Sequence, residues 1–149
     1  MAEKKVINKN AENFVKFLAE NQITNEEQPV MYTDTHHAVI VLHDKIESTG
    51  FAYRWELVFD PNNCLANING LRFVEGIRPE CVGNILELVN EKNKTTLWGK
   101  FFFNDGAVSV TTAIYDRDAV LVPSDMLDIL KLVRGSIEEL HREVLKALL

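Results

Sequence analysis

Apolar residues recur every three or four positions at Ile7, Ala11, Phe14 and Leu18, which predicts a short amphipathic helix capped by Asn8 or Asn10 and ended by the polar stretch 21–28. From Val30 the period changes to two. Residues 30–34, 37–44, 51–60 and 64–69 read as four strands of an antiparallel meander, with Asp60-Pro61-Asn62-Asn63 as the turn between the last two. In the third, Tyr53, Trp55, Leu57 and Phe59 share one face while Arg54, Glu56 and Asp60 take the other, the alternation of a half-buried strand.

A second helix starts at Pro79, whose fixed φ and missing N–H suit a first helical position, with Glu80 well placed against the helix dipole. Val82, Ile85, Leu86 and Val89 form its apolar stripe, and the polar run 90–96 ends it. LWGKFFF and AVSVTTAIY then flank Asn104-Asp105-Gly106. Asp-Gly tolerates the two positive φ angles of a type I′ turn, so these segments form a hairpin with Asp105 and Gly106 as its loop. That register opposes Phe103 to Val108, Phe101 to Val110, Gly99 to Thr112 and Leu97 to Ile114 on an apolar face. The reverse face pairs Phe102 with Ser109, Lys100 with Thr111 and Trp98 with Ala113, and ends in Tyr115.

Pro123 and Ser124 mark the last helix, with Asp125 and Asp128 near its start. Met126, Leu130, Val133, Ile137, Leu140, Val144 and Leu148 carry its stripe to the C-terminus, a length of about 39 Å at roughly 1.5 Å per residue. Leu127, Ile129, Leu132, Leu145 and Leu149 widen that stripe. Gly135 inside it costs about 1 kcal/mol relative to alanine, which predicts either close packing or a bend. The expected fold is one α+β domain over residues 1–149: an antiparallel sheet, meander plus C-terminal hairpin, packed with three helices in the order α-β-β-β-β-α-β-β-α.

The 149 residues are 46% hydrophobic and 26% charged, ordinary for a folded globular chain. Net charge is −6 and the basic residues are scattered, so nothing predicts a nucleic-acid or anionic membrane partner. No apolar run approaches the roughly 18 residues of a membrane span, and the basic start of residues 1–10 lacks the apolar core of a secretory signal, which makes cytoplasmic residence the expectation. Cys64 and Cys81 belong to no C-x-x-C pair and read as reduced, buried or half-buried thiols.

The segment 85–93 leading into Gly99-Lys100-Phe101-Phe102-Phe103-Asn104-Asp105-Gly106, together with Pro123-Ser124-Asp125-Met126-Leu127, resembles the YbjN-domain family of bacterial sensory transduction regulators. That family is itself similar to the type III secretion chaperone fold. The likeness covers Tyr53 to Leu149 well and the first third in outline. It implies a bacterial, cytoplasmic, non-enzymatic α+β protein with a regulatory or chaperone-like role, expected as a homodimer, and it carries no catalytic residues.

Chemistry is sparse. On a strand His37 and His43 lie about 20 Å apart at roughly 3.3 Å per residue, and His36 points away from His37, so these histidines with Asp34 and Asp44 predict no metal site. Asp60, Asp105, Asp116 and Asp118 sit beside turns, where aspartate bonds local backbone. The seven glycines form no phosphate loop, and Ser109 lacks the glycines of a nucleophile elbow. No cofactor is expected, nor an enzyme. Lys5, Glu20, Lys92 and Glu138-Glu139 read as solvated surface. Trp98, Phe102 and Tyr115 on the weaker hairpin face are the candidate protein-binding residues, because apolar surface outside the core marks a partner or ligand site. The first expectation is a protein-binding module serving a second copy or an extended client. The alternative is a small-molecule sensor with a pocket between sheet and helices.

Overall fold

Asn8 opens the first helix, α1 (Lys9–Glu20), by accepting a hydrogen bond from the Ala11 N–H at 3.0 Å. The structure, a computed structural model, describes residues 7–149, so Lys5 and the basic start fall outside the described residues. Ala11, Phe14, Val15 and Leu18 form the inner face of α1, whereas Ile7 precedes the first turn and is exposed instead of joining the stripe.

Four strands follow: β1 (Met31–Tyr32), β2 (Ala38–Lys45), β3 (Ala52–Phe59) and β4 (Leu65–Val74). A 3₁₀ turn at Pro79–Cys81 leads into α2 (Val82–Thr95), then come β5 (Lys100–Asn104), β6 (Ala107–Tyr115) and α3 (Pro123–Leu148). The strands make one antiparallel sheet in the order β1-β2-β3-β4-β6-β5. The expected α+β class and element order are therefore those of the molecule.

Two local features depart from simple alternation. The fourth strand runs on to Val74 through a bulge, where the ladder with β6 skips between Gly70 and Val74. Arg72 there has φ +54 and its N–H donates to Ser109 Oγ at 2.8 Å. β4 gains two residues on β6 here, and with Arg72 in the left-handed region Phe73 turns to the inner face, where it is fully buried. The hairpin has the expected turn, with φ +50 at Asp105 and +70 at Gly106, and the expected pairs from Asn104 to Lys100. Beyond Lys100 it does not continue. Gly99 adopts φ +100, and a Cβ there would sit 3.0 Å from Val110 Cγ2, so the chain leaves the ladder. The predicted pairs of Gly99, Trp98 and Leu97 do not form, and Leu97 is 91% exposed rather than part of an apolar face.

All three helices contribute to one core. Phe14 and Leu18 of α1, Ile85 and Val89 of α2, and Met126, Val133, Ile137, Leu140 and Val144 of α3 pack with Ile40, Trp55, Leu57, Phe59, Ile68, Phe101 and Val110 of the sheet. Leu86 of α2, read as part of the buried stripe, is exposed. At Gly70 a Cβ would meet Ile137 Cδ1 at 2.8 Å, so this glycine lets α3 approach the sheet. Gly135, by contrast, has no atom within 4 Å of its Cβ position and answers no packing need. Of the second apolar set on α3, Leu127 is buried, while Leu132, Leu145 and Leu149 are exposed.

Candidate functional site

Inward side chains of the strands meet the helices, and no helix of the described residues packs on the outward ones. Cross-strand register arranges this open face in rows. One row runs Met31, Val39, Val58, Asn67 and Ala113, with Leu65 and Tyr115 paired beside it. The next runs Val41, Glu56, Asn69, Thr111 and Lys100, tied in its middle by Thr111 Oγ1 donating to Asn69 Oδ1 at 2.6 Å. Arg54 with Leu71, and Ser109 with Phe102, follow below. Met31 is exposed and Val39, Val58 and Leu65 are half-buried, so one end of this face is an apolar belt spanning five strands.

The three candidate residues do not share one surface. Phe102 and Tyr115 lie on the open face, 37% and 68% exposed, but at opposite ends: six residues of β6 separate Tyr115 from the partner of Phe102, about 20 Å at roughly 3.3 Å per residue. Trp98 is not on that face. It lies in the loop before β5, 49% exposed, lining a hollow of 270 Å³ with Leu97, Thr95, Thr96, Leu132 and Ser136. Gly99 is the cause, since its positive φ turns the loop away from the strand. Lys92 and Glu139 form an ion pair across the same hollow, and the Lys92 side chain is only 11% exposed, so it is not the solvated residue the pattern predicted.

A larger cleft of 520 Å³ opens at the other side of the sheet, between segment 23–28, the outer edge of β2 and α3. Leu42, Trp55, Leu127 and Leu130 supply its apolar lining. At its end Asp44 gathers donors. Its Oδ2 accepts from Arg134 Nε at 2.9 Å, Trp55 Nε1 at 3.0 Å and the Tyr53 hydroxyl at 3.1 Å, and its Oδ1 accepts from the Lys45 N–H at 2.8 Å. Burial pushes the Asp44 carboxyl up, but the bonds from Arg134, Trp55 and Lys45 outweigh it and hold the group below the usual carboxylate range. The Tyr53 hydroxyl is pushed well up by burial and by the Asp44 charge, and the Asp44 bond raises Arg134 further. Arg134 also reaches Glu47 Oε1 at 3.3 Å and the Lys45 carbonyl at 3.5 Å. The constellation satisfies itself, tying α3 to the sheet edge and leaving the cleft without an unpaired arginine.

The two sheet edges differ. At β5, Asn93 of α2 donates to the Phe101 carbonyl at 2.9 Å and accepts from the Phe101 N–H at 2.7 Å, occupying the place of a further strand. At β2, only Val39 and Ala38 pair with β1.

Among the described residues no group of three His, Cys, Asp or Glu could hold a metal ion. Cys64 and Cys81 are free and half-buried. His37 bonds Thr35 Oγ1 at 2.8 Å and lies 3.4 Å from Asp60. Sequence reasoning passed over His141, which is buried in α3. Its Nδ1 lies 2.9 Å from the Phe73 carbonyl, which can only accept, so the proton is on Nδ1, and its Nε2 faces Thr49 Oγ1 at 3.2 Å. Both ring nitrogens are thus engaged in tying α3 to the sheet. No helix of the described residues is long and apolar enough to cross a membrane. No family model matches the chain, and no curated protein matches it.

Proposed function

We propose that this chain is a protein-binding module rather than an enzyme, regulatory or chaperone-like in role, and that its open sheet face receives a second copy of itself. The observation that carries this reading is the open sheet face, which no helix of the described residues covers, with Leu65 and Tyr115 paired on it and Val58, Val39 and Met31 continuing its apolar belt past the contact toward β1. The resemblance to the YbjN-domain family points the same way.

The charge pattern selects a second copy. Glu56, 3.8 Å from Arg54 of its own strand, and Lys100 stand in one row, with Asn69 and Thr111 between them. Turning a copy by half a revolution about an axis along the strands, between β4 and β6, sets β3 over the partner's β5. Glu56 then meets the partner's Lys100, Arg54 meets the partner's Phe102, and Leu65 meets the partner's Tyr115. Four strands at about 4.8 Å spacing give a patch of a few hundred Å² per copy, the class of weak and transient association. A small-molecule sensor is the weaker reading, because the polar groups at the end of the large cleft already bond one another.

Sedimentation equilibrium over rising concentration tests the proposal. The expected result is a monomer–dimer equilibrium that Glu56→Lys and Lys100→Glu each weaken and that the double exchange restores. A chain that stays monomeric throughout, with variants indistinguishable from it, overturns the reading.

A further inference from the structure

The outer edge of β2 is open for a length of two residues, and that opening adjoins the 520 Å³ cleft. Ile46 N–H donates to the Phe51 carbonyl at 2.8 Å and Thr33 N–H to the His37 carbonyl at 2.9 Å, which fixes the phase of both ladders. In an antiparallel pair hydrogen-bonded positions alternate, so Val39, Val41, His43 and Lys45 turn their backbone groups outward, away from β3. Val39 is met by Met31 of β1. The Lys45 N–H bonds Asp44 Oδ1 and its carbonyl accepts from Arg134. Continuing the β1 register places Pro29 across from Val41, where it has no N–H for the Val41 carbonyl, so the pair would make only one of its two bonds, and β1 stops at Met31. Among the described residues nothing takes up the backbone groups of Val41 and His43. Leu42, between them, points to the helix side and lines the cleft.

We propose that this edge is the docking site for an extended segment of a partner polypeptide, added antiparallel to β2 as a further strand. Its backbone bonds the N–H and carbonyl groups of Val41 and His43, and the residue set across from Leu42 enters the cleft over Leu42, Trp55, Leu127 and Leu130. The volume of 520 Å³ accommodates a large apolar side chain with room to spare. Because Asp44 and Arg134 neutralise each other at the cleft end, and Glu26 and Lys131 of the same lining carry opposite charges, that side chain is uncharged. The net charge of −6 favours a segment with basic flanks. The inference rests on the reading of the chain as a protein-binding module, but it uses a different surface from the self-association face.

The probe is a blocked peptide of alternating threonine and leucine with a lysine at each end, titrated into the full chain and followed by amide exchange and backbone NMR. The expected result is protection of the Val41 and His43 amides and a shift of the Trp55 indole signal. N-methylation at the threonines, whose N–H groups face the edge, weakens binding about tenfold or more, whereas N-methylation at the leucines changes it little. Val41→Pro, which removes an outward N–H and no bond of the β3 ladder, gives a similar loss. Binding that perturbs Val58 and Tyr115 but not Val41 and His43 overturns the edge site and leaves the protein-binding reading standing. No perturbation at millimolar peptide overturns the edge site as well, with the dimer measurement still deciding the module reading on its own.

Discussion

Replacing Asn93 by alanine deletes both hydrogen bonds that close the β5 edge at Phe101, those of 2.9 Å and 2.7 Å. Each such bond is worth about 1 kcal/mol net, so the expected loss is about 2 kcal/mol. For a chain of this length 1 kcal/mol corresponds to roughly 2–4 °C, giving a Tm lower by about 4–8 °C. Urea and thermal unfolding followed by circular dichroism measure it. Asn93→Asp discriminates further: it keeps an acceptor for the Phe101 N–H but sets an anionic oxygen against the Phe101 carbonyl, so it is also destabilised. The alanine variant bares the outward groups of Phe101 beside Phe102 and Phe103, so light scattering on warming rises above that of the parent chain. A loss below about 0.5 kcal/mol with unchanged scattering refutes the reasoning, because it means that water replaces the side chain without penalty.

Two glycines give opposite expectations. Gly135→Ala stabilises by about 1 kcal/mol, since the helix interior gains alanine propensity and no neighbour lies within 4 Å, whereas Gly70→Ala destabilises by about 1–3 kcal/mol against Ile137, Val110 and Trp55. Paired urea midpoints check both, and like signs refute the packing account. Asp44 gives a pH signature. Its folded pKa lies below the unfolded value of about 3.9, so its stabilisation is present above pH of about 4 and is lost as pH falls through the folded value. Asp44→Asn is less stable than the parent by about 2 kcal/mol at neutral pH, and the gap narrows on acidification below that point. A gap independent of pH between 2 and 6 contradicts the assignment.

Periodicity was sufficient for the elements because most of them bury one face. The alternation in β3 and the three-four spacing of α3 each name their inner residues, and the Asp-Gly turn sets the register of β5 with β6. What failed were positions where one backbone angle decides. Gly99 looks like a strand residue until its φ of +100 is known, and Trp98 and Leu97 leave the hairpin with it. Arg72 likewise hides a bulge inside an apolar run. Long-range chemistry was illegible for another reason: Asp44 and Arg134 are 90 positions apart, and His141 and Phe73 are 68 apart, so no spacing rule joins them. The open face was half legible. Alternation separates Val39 and Val58 from Ile40 and Leu57, but it does not say which side of the sheet the helices leave bare.

The place of the β2 opening, beside the cleft, argues for a site rather than for neglect. An unpaired strand edge invites indefinite pairing with other chains, and folded proteins close or shorten such edges. Here β5 is closed at Phe101 by Asn93, Val39 by β1, and Lys45 by Asp44 and Arg134. Phe103 of β5, and Ala113 and Tyr115 of β6 beyond the end of β5, also keep outward groups that nothing among the described residues takes up, but the opening at Val41 and His43 is two residues long and bounded on both sides, too short to template an extended ribbon. It is also the one stretch of edge that adjoins the large apolar cleft, where a short segment gains side-chain burial in addition to backbone bonds. Closing its Val41 half would have required a donor in place of Pro29, whose missing N–H leaves the Val41 carbonyl without a partner from β1. Pro29→Val therefore tests the argument from within the chain: lengthening β1 by two pairs, to residue 29, should protect the Val41 amide from exchange and compete with the added peptide, and unchanged exchange would show that the edge is not held open by this residue.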